Sequence, residues 1–255
     1  MKTNKIALIT GASSGIGKEI AKELSRKGYF LILVARRLDK LNELKEELSG
    51  KAITVNCDLS DKKNCFDLYD KVKNYDVSVL VNNAGFGAIG YFNDVSLERE
   101  IEMIDTNCKS LHILTKLFLK DFIKKNRGYI LNVSSSAGLM PGGPLMPTYY
   151  ATKAYVTSLT SGISEELKAK KSQVSISALC PGPVDTEFNK VANVKFNLSS
   201  ISAEKCAKIA VDGMFKRKLI IIPSLDMKIS YIGSRLLPRS IMLPITKHMQ
   251  TKKIK

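Results

Sequence analysis

The chain has 255 residues, of which 44% are hydrophobic and 25% charged, a balance typical of a globular domain and unlike a fibrous or disordered protein. The formal net charge is +16, and residues 213–255 carry ten Lys or Arg against one acidic residue, Asp226. Because no zinc-finger, basic-zipper or RNA-recognition signature accompanies these charges, we expect no nucleic-acid partner.

The cysteines and the N-terminus both indicate a protein of the cytoplasm. The five cysteines are scattered and include no Cys-x-x-Cys pair, so we expect reduced thiols and neither a disulfide framework nor a metal site. The opening MKTNKIALIT lacks the apolar segment and small-residue cleavage site of a signal peptide.

Short apolar runs alternate with longer amphipathic stretches along the chain. The predicted strands are KIALIT, YFLILVA, AITVNC, VSVLVNNAG, YILNVSS, VSISALC and LIII, and the helices between them are predicted at 15–27, 38–48, 62–73, 97–125, 149–170 and 202–216. Apolar strands separated by helices indicate a parallel sheet covered on both faces. The sequence therefore predicts an α/β fold, a single doubly wound domain of about seven strands over residues 1–255.

The segment TGASSGIG, at residues 10–17, leads from the first strand into the first helix. In this context glycines permit a tight turn, the approach of backbone to a pyrophosphate and close packing of helix on strand. The positive helix N-terminus would bind the phosphates. A purely structural turn is the alternative. The predicted dinucleotide-binding residues here are Gly11, Ser13, Ser14, Gly15, Ile16 and Gly17.

The second strand is followed by Arg36 and Arg37, with no carboxylate beside them. An acidic side chain at this position would bind the ribose hydroxyls and repel a 2′-phosphate, whereas guanidinium groups bind phosphate. We therefore expect NADP(H) to be preferred over NAD(H), with Arg36 as the first choice and Arg37 as a helper. A solvated arginine pair is the alternative.

Tyr149 and Lys153 are four residues apart in TYYATKAY, so they share one face of a helix. A phenol titrates near ~10 and needs a neighbouring cation to exchange protons at neutral pH. We expect Lys153 to be that cation and, together with the positive charge of an oxidised nicotinamide, to lower the pKa of Tyr149. Tyr150 has no lysine four residues later and is assigned to packing or to the substrate wall.

Together these motifs resemble the short-chain dehydrogenase/reductase family, most closely bacterial reductases allied to hydroxysteroid dehydrogenases and 3-oxoacyl reductases. The matching motifs are Thr-Gly-x-x-x-Gly-x-Gly at residues 10–17, Asn-Asn-Ala-Gly at 82–85, Ser135, Tyr149-x-x-x-Lys153 and Pro-Gly at 181–182. The resemblance implies a Rossmann-type domain that transfers hydride between NADP(H) and a carbonyl or secondary alcohol. It also implies a homodimer or homotetramer.

The resemblance implies roles for further residues. Asn107 would bind a water that relays protons to Lys153, and Asp58 with Leu59 would hold the adenine. Cofactor contacts are also implied for Asn82, Ala84, Gly85, Tyr149, Lys153, Pro181, Gly182, Val184 and Thr186.

The catalytic serine is ambiguous by one position. The usual family spacing of thirteen residues before the tyrosine selects Ser136, whereas the following Ala137 and Gly138 select Ser135. Because strand geometry fixes which side chain faces the site, and the loop at 138–148 can absorb an insertion, we predict Ser135, with Ser136 as the second choice.

The segments expected around the substrate are apolar, and residues 181–200 form the expected substrate loop. This composition predicts an apolar aldehyde, ketone or acyl substrate, with packing against the sheet as the alternative. The expected lining residues are Phe86, Ile89, Leu139, Met140, Leu145, Met146, Tyr150, Phe188, Val191 and Phe196.

Residues 225–255 form a basic amphipathic extension that contains Pro238 and Pro244 and no uncharged stretch of the ~18 residues needed to span a bilayer. Three interpretations remain open: packing over the substrate site or a second subunit, peripheral contact with a membrane, or a solvated tail. The alternatives to an enzyme are a non-catalytic NADP-binding protein and a basic membrane-surface protein on the same fold.

Overall fold

The computed structural model describes residues 5–188 and 200–251. The strands are β1 (Ile6–Thr10), β2 (Phe30–Ala35), β3 (Ala52–Asn56), β4 (Val77–Asn82), β5 (Gly128–Val133), β6 (Val174–Leu179), β7 (Val184–Asp185), β8 (Ile201–Ser202) and β9 (Ile220–Ile221). Seven of them form a parallel sheet in the order β3-β2-β1-β4-β5-β6-β9, and β7 pairs with β8. The order reverses between β1 and β4, which is where open α/β sheets bind ligands.

Helices cover both faces of this sheet. They are α1 (Gly15–Arg26), α2 (Leu38–Glu47), α3 (Lys62–Val72), α4 (Leu97–Ile104), α5 (Leu111–Lys125), α6 (Pro147–Ala169), α7 (Ala203–Phe215), α8 (Leu225–Leu236) and α9 (Arg239–Thr251). Ile9 of β1 packs in one apolar cluster with α1 and α7, and the adjacent Leu8 packs in the other with α3 and α5. The predicted doubly wound α/β fold of about seven strands is therefore confirmed.

The predicted helix at 97–125 is interrupted. A π-helical turn, Asp105–Ser110, separates α4 from α5. Its Asn107 side chain is bonded to the backbone of Phe86 and to the Thr152 hydroxyl. Turns of this kind are often found at functional sites, because the extra residue redirects a side chain. Here the turn directs Asn107 towards the end of β4.

The helix that carries Tyr149 begins two residues earlier than predicted, at Pro147. Proline suits the first turn of a helix because its fixed φ is helical and no helix bond needs its missing N–H. The expected substrate loop is described only at residues 181–188 and 200, so Val191 and Phe196 lie outside the described residues.

The C-terminal segment forms two helices, α8 and α9, which pack over the chain that follows β5. The Ser234 hydroxyl donates to the Leu139 carbonyl at 3.4 Å, and the Gln250 amide donates to the Tyr150 hydroxyl. Among the described residues, none of the helices is both long and apolar enough to cross a bilayer.

Candidate active site

A cavity of about 480 Å³ is lined by residues at the carboxyl ends of β1 to β6. Most of the predicted site residues meet here, although they come from seven separate parts of the chain. The predicted residues that line the cavity are Gly11, Ser13, Ser14, Gly15, Ile16, Arg36, Arg37, Asp58, Leu59, Ala84, Gly85, Ser135, Tyr149, Lys153, Pro181, Gly182, Val184 and Thr186.

Two of the predicted cofactor residues lie behind the wall of the cavity. A Cβ at Gly17 would stand only 2.4 Å from the Gly11 carbonyl oxygen, so this glycine allows α1 to pack against the preceding turn. The Asn82 side chain is buried within the sheet and donates to Thr115 Oγ1 and Asn132 Oδ1, at 3.0 and 2.9 Å. The structure therefore gives these two residues supporting positions.

Asn83 is a functional residue that the sequence reasoning missed. It lines the cavity, and its Nδ2 donates to the carbonyls of Thr10 and Gly11, at 3.1 and 3.0 Å. These bonds hold the glycine turn against the end of β4. The signal was the second asparagine of the Asn-Asn-Ala-Gly motif.

The glycine turn has the conformation that binding of phosphate requires. Gly11 and Gly15 have φ of +63° and +56°, a region that favours glycine. The turn leads into α1, and the first N–H groups of a helix have no partner within it. Ser14, Gly15 and Ile16 bring this positive helix terminus to the cavity. These residues fit the pyrophosphate of a dinucleotide.

Charged side chains surround the end of the cavity that lies away from Tyr149. Arg36 Nη1 pairs with Glu102 Oε1 at 3.1 Å. Arg37 Nη2 bonds to Ser13 Oγ at 3.2 Å and to Glu187 Oε2 at 2.8 Å. Both arginines therefore reach the cavity while engaged in ion pairs.

Asp58 follows β3 at the same end and is held in a local turn. Its Oδ1 accepts hydrogen bonds from the Ser60 N–H and hydroxyl, at 3.0 and 2.8 Å. Burial acts to raise the pKa of Asp58, but the Ser60 bonds and the charge of Arg36 outweigh it and hold the pKa below its usual value. The carboxylate is thus ionised and fixed in the wall of the cavity.

Tyr149 and Lys153 lie one turn apart on α6, and both are buried. Lys153 Nζ donates to the Val133 carbonyl at 2.9 Å and lies 5.8 Å from the centroid of the Tyr149 ring. Burial lowers the pKa of Lys153 to about 8, an effect that the nearby thiols of Cys108 and Cys180 partly oppose.

The lowering of the Tyr149 pKa expected from the sequence relied on Lys153 together with an oxidised nicotinamide, whereas the protein's own groups raise that pKa. Burial raises it to about 12, and a hydrogen bond with Ser135 opposes part of this rise. The physical reason is that the phenol lies in an apolar enclosure, while the ammonium of Lys153 is bonded to Val133. The phenol is therefore held in its protonated form.

Of the two candidate serines, Ser135 is the one whose hydroxyl acts on Tyr149, where it lowers the pKa of the phenol. Its Oγ also accepts from the Ala137 N–H at 3.1 Å, which fixes the side chain at the start of a short 3₁₀ turn. Ser136 lines the cavity too, but its described bond runs from its backbone N–H to the Pro181 carbonyl, at 2.7 Å. Ser134 points inward to the Lys153 carbonyl. The geometry favours Ser135.

Asn107 lies just behind the lysine. Its Oδ1 accepts from the Phe86 N–H at 3.0 Å, and its Nδ2 donates to the Phe86 carbonyl at 2.9 Å and to Thr152 Oγ1 at 3.1 Å. A Cβ at Gly85 would stand 2.8 Å from Asn107 Oδ1 and 3.5 Å from Lys153 Nζ. Glycine at this position keeps a gap between the two side chains, and the water relay through Asn107 remains a prediction.

The wall beside Tyr149 is apolar. Phe86, Met146, Tyr150 and Phe188 line the cavity, and the Phe188 ring lies 5.6 Å from the Tyr149 ring. Other expected lining residues pack elsewhere: Leu139 is buried against Ala178 and Cys180. Ile89, Met140 and Leu145 also lie away from the lining.

The Gln250 side chain, from the end of α9, is a second feature that the sequence reasoning missed. It is 1% exposed and donates a hydrogen bond to the hydroxyl of Tyr150. No local pattern marks this pair, which is 100 residues apart in the chain.

A sequence model described as short chain dehydrogenase matches residues 5–196. The chain belongs to the short-chain dehydrogenase family. It is an oxidoreductase of this type, on a fold that binds a nicotinamide cofactor.

Named relatives and solved structures agree with this assignment. A very-long-chain 3-oxoacyl-CoA reductase of Mus musculus is 32% identical over 98% of this chain and 82% of its own length. The structure of a short-chain dehydrogenase from Sphingobium yanoikuyae in complex with NADPH is 28% identical, with a TM-score of 0.81 over 91% of this chain and 94% of its own. A Burkholderia phymatum member in complex with NAD shares the fold, at 24% identity and a TM-score of 0.82 over 90% of this chain and 92% of its own.

Proposed function

We propose that this dehydrogenase catalyses reversible NADP(H)-dependent interconversion of a carbonyl group and a secondary alcohol. The observation that carries the proposal is that Ser135, Tyr149 and the buried Lys153 line one cavity, with the tyrosine and the lysine one helix turn apart. The opposite end of the same cavity has the glycine turn and arginines that suit a dinucleotide phosphate. The nicotinamide, when bound, supplies or accepts the hydride.

Tyr149 would donate its proton to the carbonyl oxygen during reduction. With a pKa of about 12, the phenol keeps that proton at neutral pH. Ser135 would hydrogen-bond the same oxygen as negative charge develops on it. Lys153 is ammonium below about pH 8, and this charge would stabilise the tyrosinate left after transfer.

Lys153 and Asn107 would serve the cofactor and the proton path together. Lys153 would also hold the nicotinamide ribose, while Asn107 would bind the relaying water in the gap beside Gly85. The segment from Pro181 to Thr186 would hold the carboxamide, since it lines the cavity near Tyr149.

NADP(H) is the proposed cofactor in preference to NAD(H). The support is chemical: two arginines and no carboxylate follow β2, so this end of the cavity attracts a 2′-phosphate. The Sphingobium yanoikuyae dehydrogenase is described in complex with NADPH. A bound phosphate would compete with Glu102 for Arg36 and with Glu187 for Arg37.

The proposed substrate is an apolar ketone or aldehyde, with 3-oxoacyl compounds as the first class to test. Phe86, Met146 and Phe188 give the wall beside Tyr149 its apolar character. The Mus musculus relative is named for the reduction of a 3-oxoacyl thioester with a long acyl chain. An apolar wall binds such a chain without any charge complementarity.

The proposed setting is a homodimer or homotetramer in the cytoplasm. Members of this family commonly oligomerise. The apolar side chains of Leu97 and Ile101 on α4 are 67% and 47% exposed, which suits burial against another subunit. Light scattering of the purified protein would give the subunit number.

The test is NADPH consumption against carbonyl substrates of increasing acyl length, with NADH as the comparison. Tyr149→Phe should bind NADPH as the wild type does, and its turnover should fall by about 10²- to 10⁴-fold because the proton donor is lost. Ser135→Ala should also lose turnover, and Ser136→Ala serves as the matched control. Near wild-type turnover of Tyr149→Phe would overturn the assignment. NADPH binding without turnover of any carbonyl would instead favour a non-catalytic nucleotide-binding protein.

A further inference from the structure

The two C-terminal helices expose large apolar side chains to solvent. On α8, Leu225, Ile229, Ile232 and Leu236 are 71%, 64%, 59% and 78% exposed. Their spacing of three or four residues places them in one stripe. On α9, Ile241, Ile245 and Met249 follow each other at four-residue intervals and are 48%, 44% and 38% exposed. These seven side chains are called the outer apolar face below.

The opposite sides of the same helices are anchored to the domain. Met227 of α8 packs against Gly182, where an added Cβ would stand 2.6 Å from Met227 Cγ. On α9, Met242, Thr246 and Gln250 are buried, also at four-residue intervals. The helices are therefore held in place without using the outer apolar face. By contrast, Ile20 and Leu24 of α1 are fully buried.

Basic residues accompany the outer apolar face. Lys228 and Arg235 on α8, and Arg239 and Lys247 on α9, are all exposed. The one acidic residue in the two helices is Asp226. Lys228 and Arg235 are seven residues apart, so they lie on the same side of α8, next to the apolar stripe.

An apolar stripe bordered by lysine and arginine is the pattern of a helix that lies in a membrane interface. The apolar side chains enter the boundary of the acyl chains, and the cations meet anionic headgroups. We propose that the outer apolar face binds the surface of an anionic lipid bilayer. The protein would rest on the bilayer through α8 and α9 without crossing it.

The charges favour a bilayer over a second copy of this chain. In a two-fold symmetric interface the same patch meets itself. Four cations on each copy would then face four more, with one carboxylate on each side to offset them. Anionic headgroups provide the complementary charge that a second copy lacks.

The position of the helices links this surface to the proposed site. Met227 contacts Gly182, and Gln250 is bonded to Tyr150; both Gly182 and Tyr150 line the cavity. The outer apolar face is thus on the far side of a layer that supports the substrate wall. Delivery of an apolar substrate from the bilayer follows only if the proposed function holds, whereas membrane binding itself does not depend on it.

The test is sedimentation of the full-length protein with vesicles of phosphatidylcholine and phosphatidylglycerol, compared with phosphatidylcholine alone. We expect binding to the anionic vesicles that weakens as salt screens the cations. Ile229→Glu combined with Ile232→Glu should weaken this binding by about tenfold or more, because it places charges in the apolar stripe. Lys228→Gln combined with Arg235→Gln should weaken binding to the anionic vesicles and leave binding to phosphatidylcholine vesicles unchanged.

The matched control is Phe66→Glu, which places a glutamate at an exposed apolar position on α3 and should bind vesicles as the wild type does. Failure of the wild type to sediment with anionic vesicles would overturn the proposal. So would a double glutamate variant that binds vesicles normally but forms a smaller oligomer by light scattering, since the face would then be a subunit interface. NADPH oxidation measured without vesicles reports separately on the proposed function.

Discussion

The two ends of the cavity are built differently. At the catalytic end, Tyr149 and Lys153 are 9% and 5% exposed; the Lys153 ammonium is bonded to the Val133 carbonyl, and the Tyr149 ring packs against Phe188. At the adenosine end, the side chains of Arg36 and Arg37 are 60% and 46% exposed and are held in ion pairs with Glu102 and Glu187.

This difference separates the two tasks of the site. Burial shifts the pKa values of Tyr149 and Lys153 strongly, because there is little water to stabilise a charge. Exposed ion pairs contribute little to stability and exchange readily. If the proposed function holds, the proton chemistry depends on a buried enclosure, and the choice of cofactor depends on exposed charges that can change partners.

Of changes at the two ends of the cavity, one at Lys153 should have the largest effect. Lys153→Met keeps the length of the buried side chain and removes its charge, so the tyrosinate is no longer stabilised. Turnover should fall by about 10²- to 10⁴-fold, with the affinity for NADPH reduced far less. Single-turnover kinetics with NADPH would measure the rate of the chemical step. An unchanged rate would contradict the proposal that the Lys153 ammonium stabilises the tyrosinate.

At the adenosine end, Arg36→Ala should weaken NADPH binding by about 10- to 100-fold, the cost of one charge-assisted bond to phosphate. Binding of NADH should change little, since NADH lacks the 2′-phosphate. Fluorescence titration with both cofactors measures the ratio. Arg26→Ala, at an exposed arginine on α1, is the matched control. Equal losses of affinity for NADPH and NADH would show that Arg36 does not distinguish the two cofactors.

The burial of Lys153 should also change how the free energy of unfolding depends on pH. Because burial lowers the pKa of Lys153 from 10.5 to about 8, the unfolded chain binds more protons than the folded one between these pH values. The free energy of unfolding should therefore rise with pH across this window, by on the order of 2 kcal/mol relative to Lys153→Met. Urea unfolding of both proteins near pH 7 and pH 9.5 tests this. Parallel pH profiles would mean that the lysine is not desolvated.

The smallest expected effect concerns the partner of Arg36. Glu102→Gln removes the carboxylate that competes with a phosphate, so NADPH should bind more tightly, by about two- to fivefold, the range of an exposed ion pair. NADH affinity should be unchanged. Glu43→Gln, in an exposed pair with Lys40, is the control. Weaker NADPH binding would show that Glu102 positions Arg36 instead of competing for it.

Much of the fold could be predicted because its signals are local. Apolar runs of strand length and the glycine turn at residues 10–17 indicate the sheet and the phosphate end without any distant contact. The π-helical turn at Asp105–Ser110 could not be predicted in this way, since its Asn107 is bonded to Phe86 and Thr152, far away in the chain.

The candidate site was predictable as a set of residues and less so in its electrostatics. The spacing of Tyr149 and Lys153 placed both on one helix face, which the structure shows. The direction of the pKa shift of Tyr149 depended on how completely the surrounding elements bury it, and a spacing carries no information on burial. The bond between Gln250 and Tyr150 depended likewise on where α9 packs.

A substitution at Gly85 could inactivate this protein without changing any of its proposed catalytic side chains. An added methyl group there would press on Asn107 at 2.8 Å and approach the Lys153 ammonium at 3.5 Å. A change from glycine to alanine would thus disturb the end of β4 and the π-helical turn together, while every chemically reactive side chain remained in the sequence. Screening of natural variants by the presence of Ser135, Tyr149 and Lys153 alone would score such a protein as active.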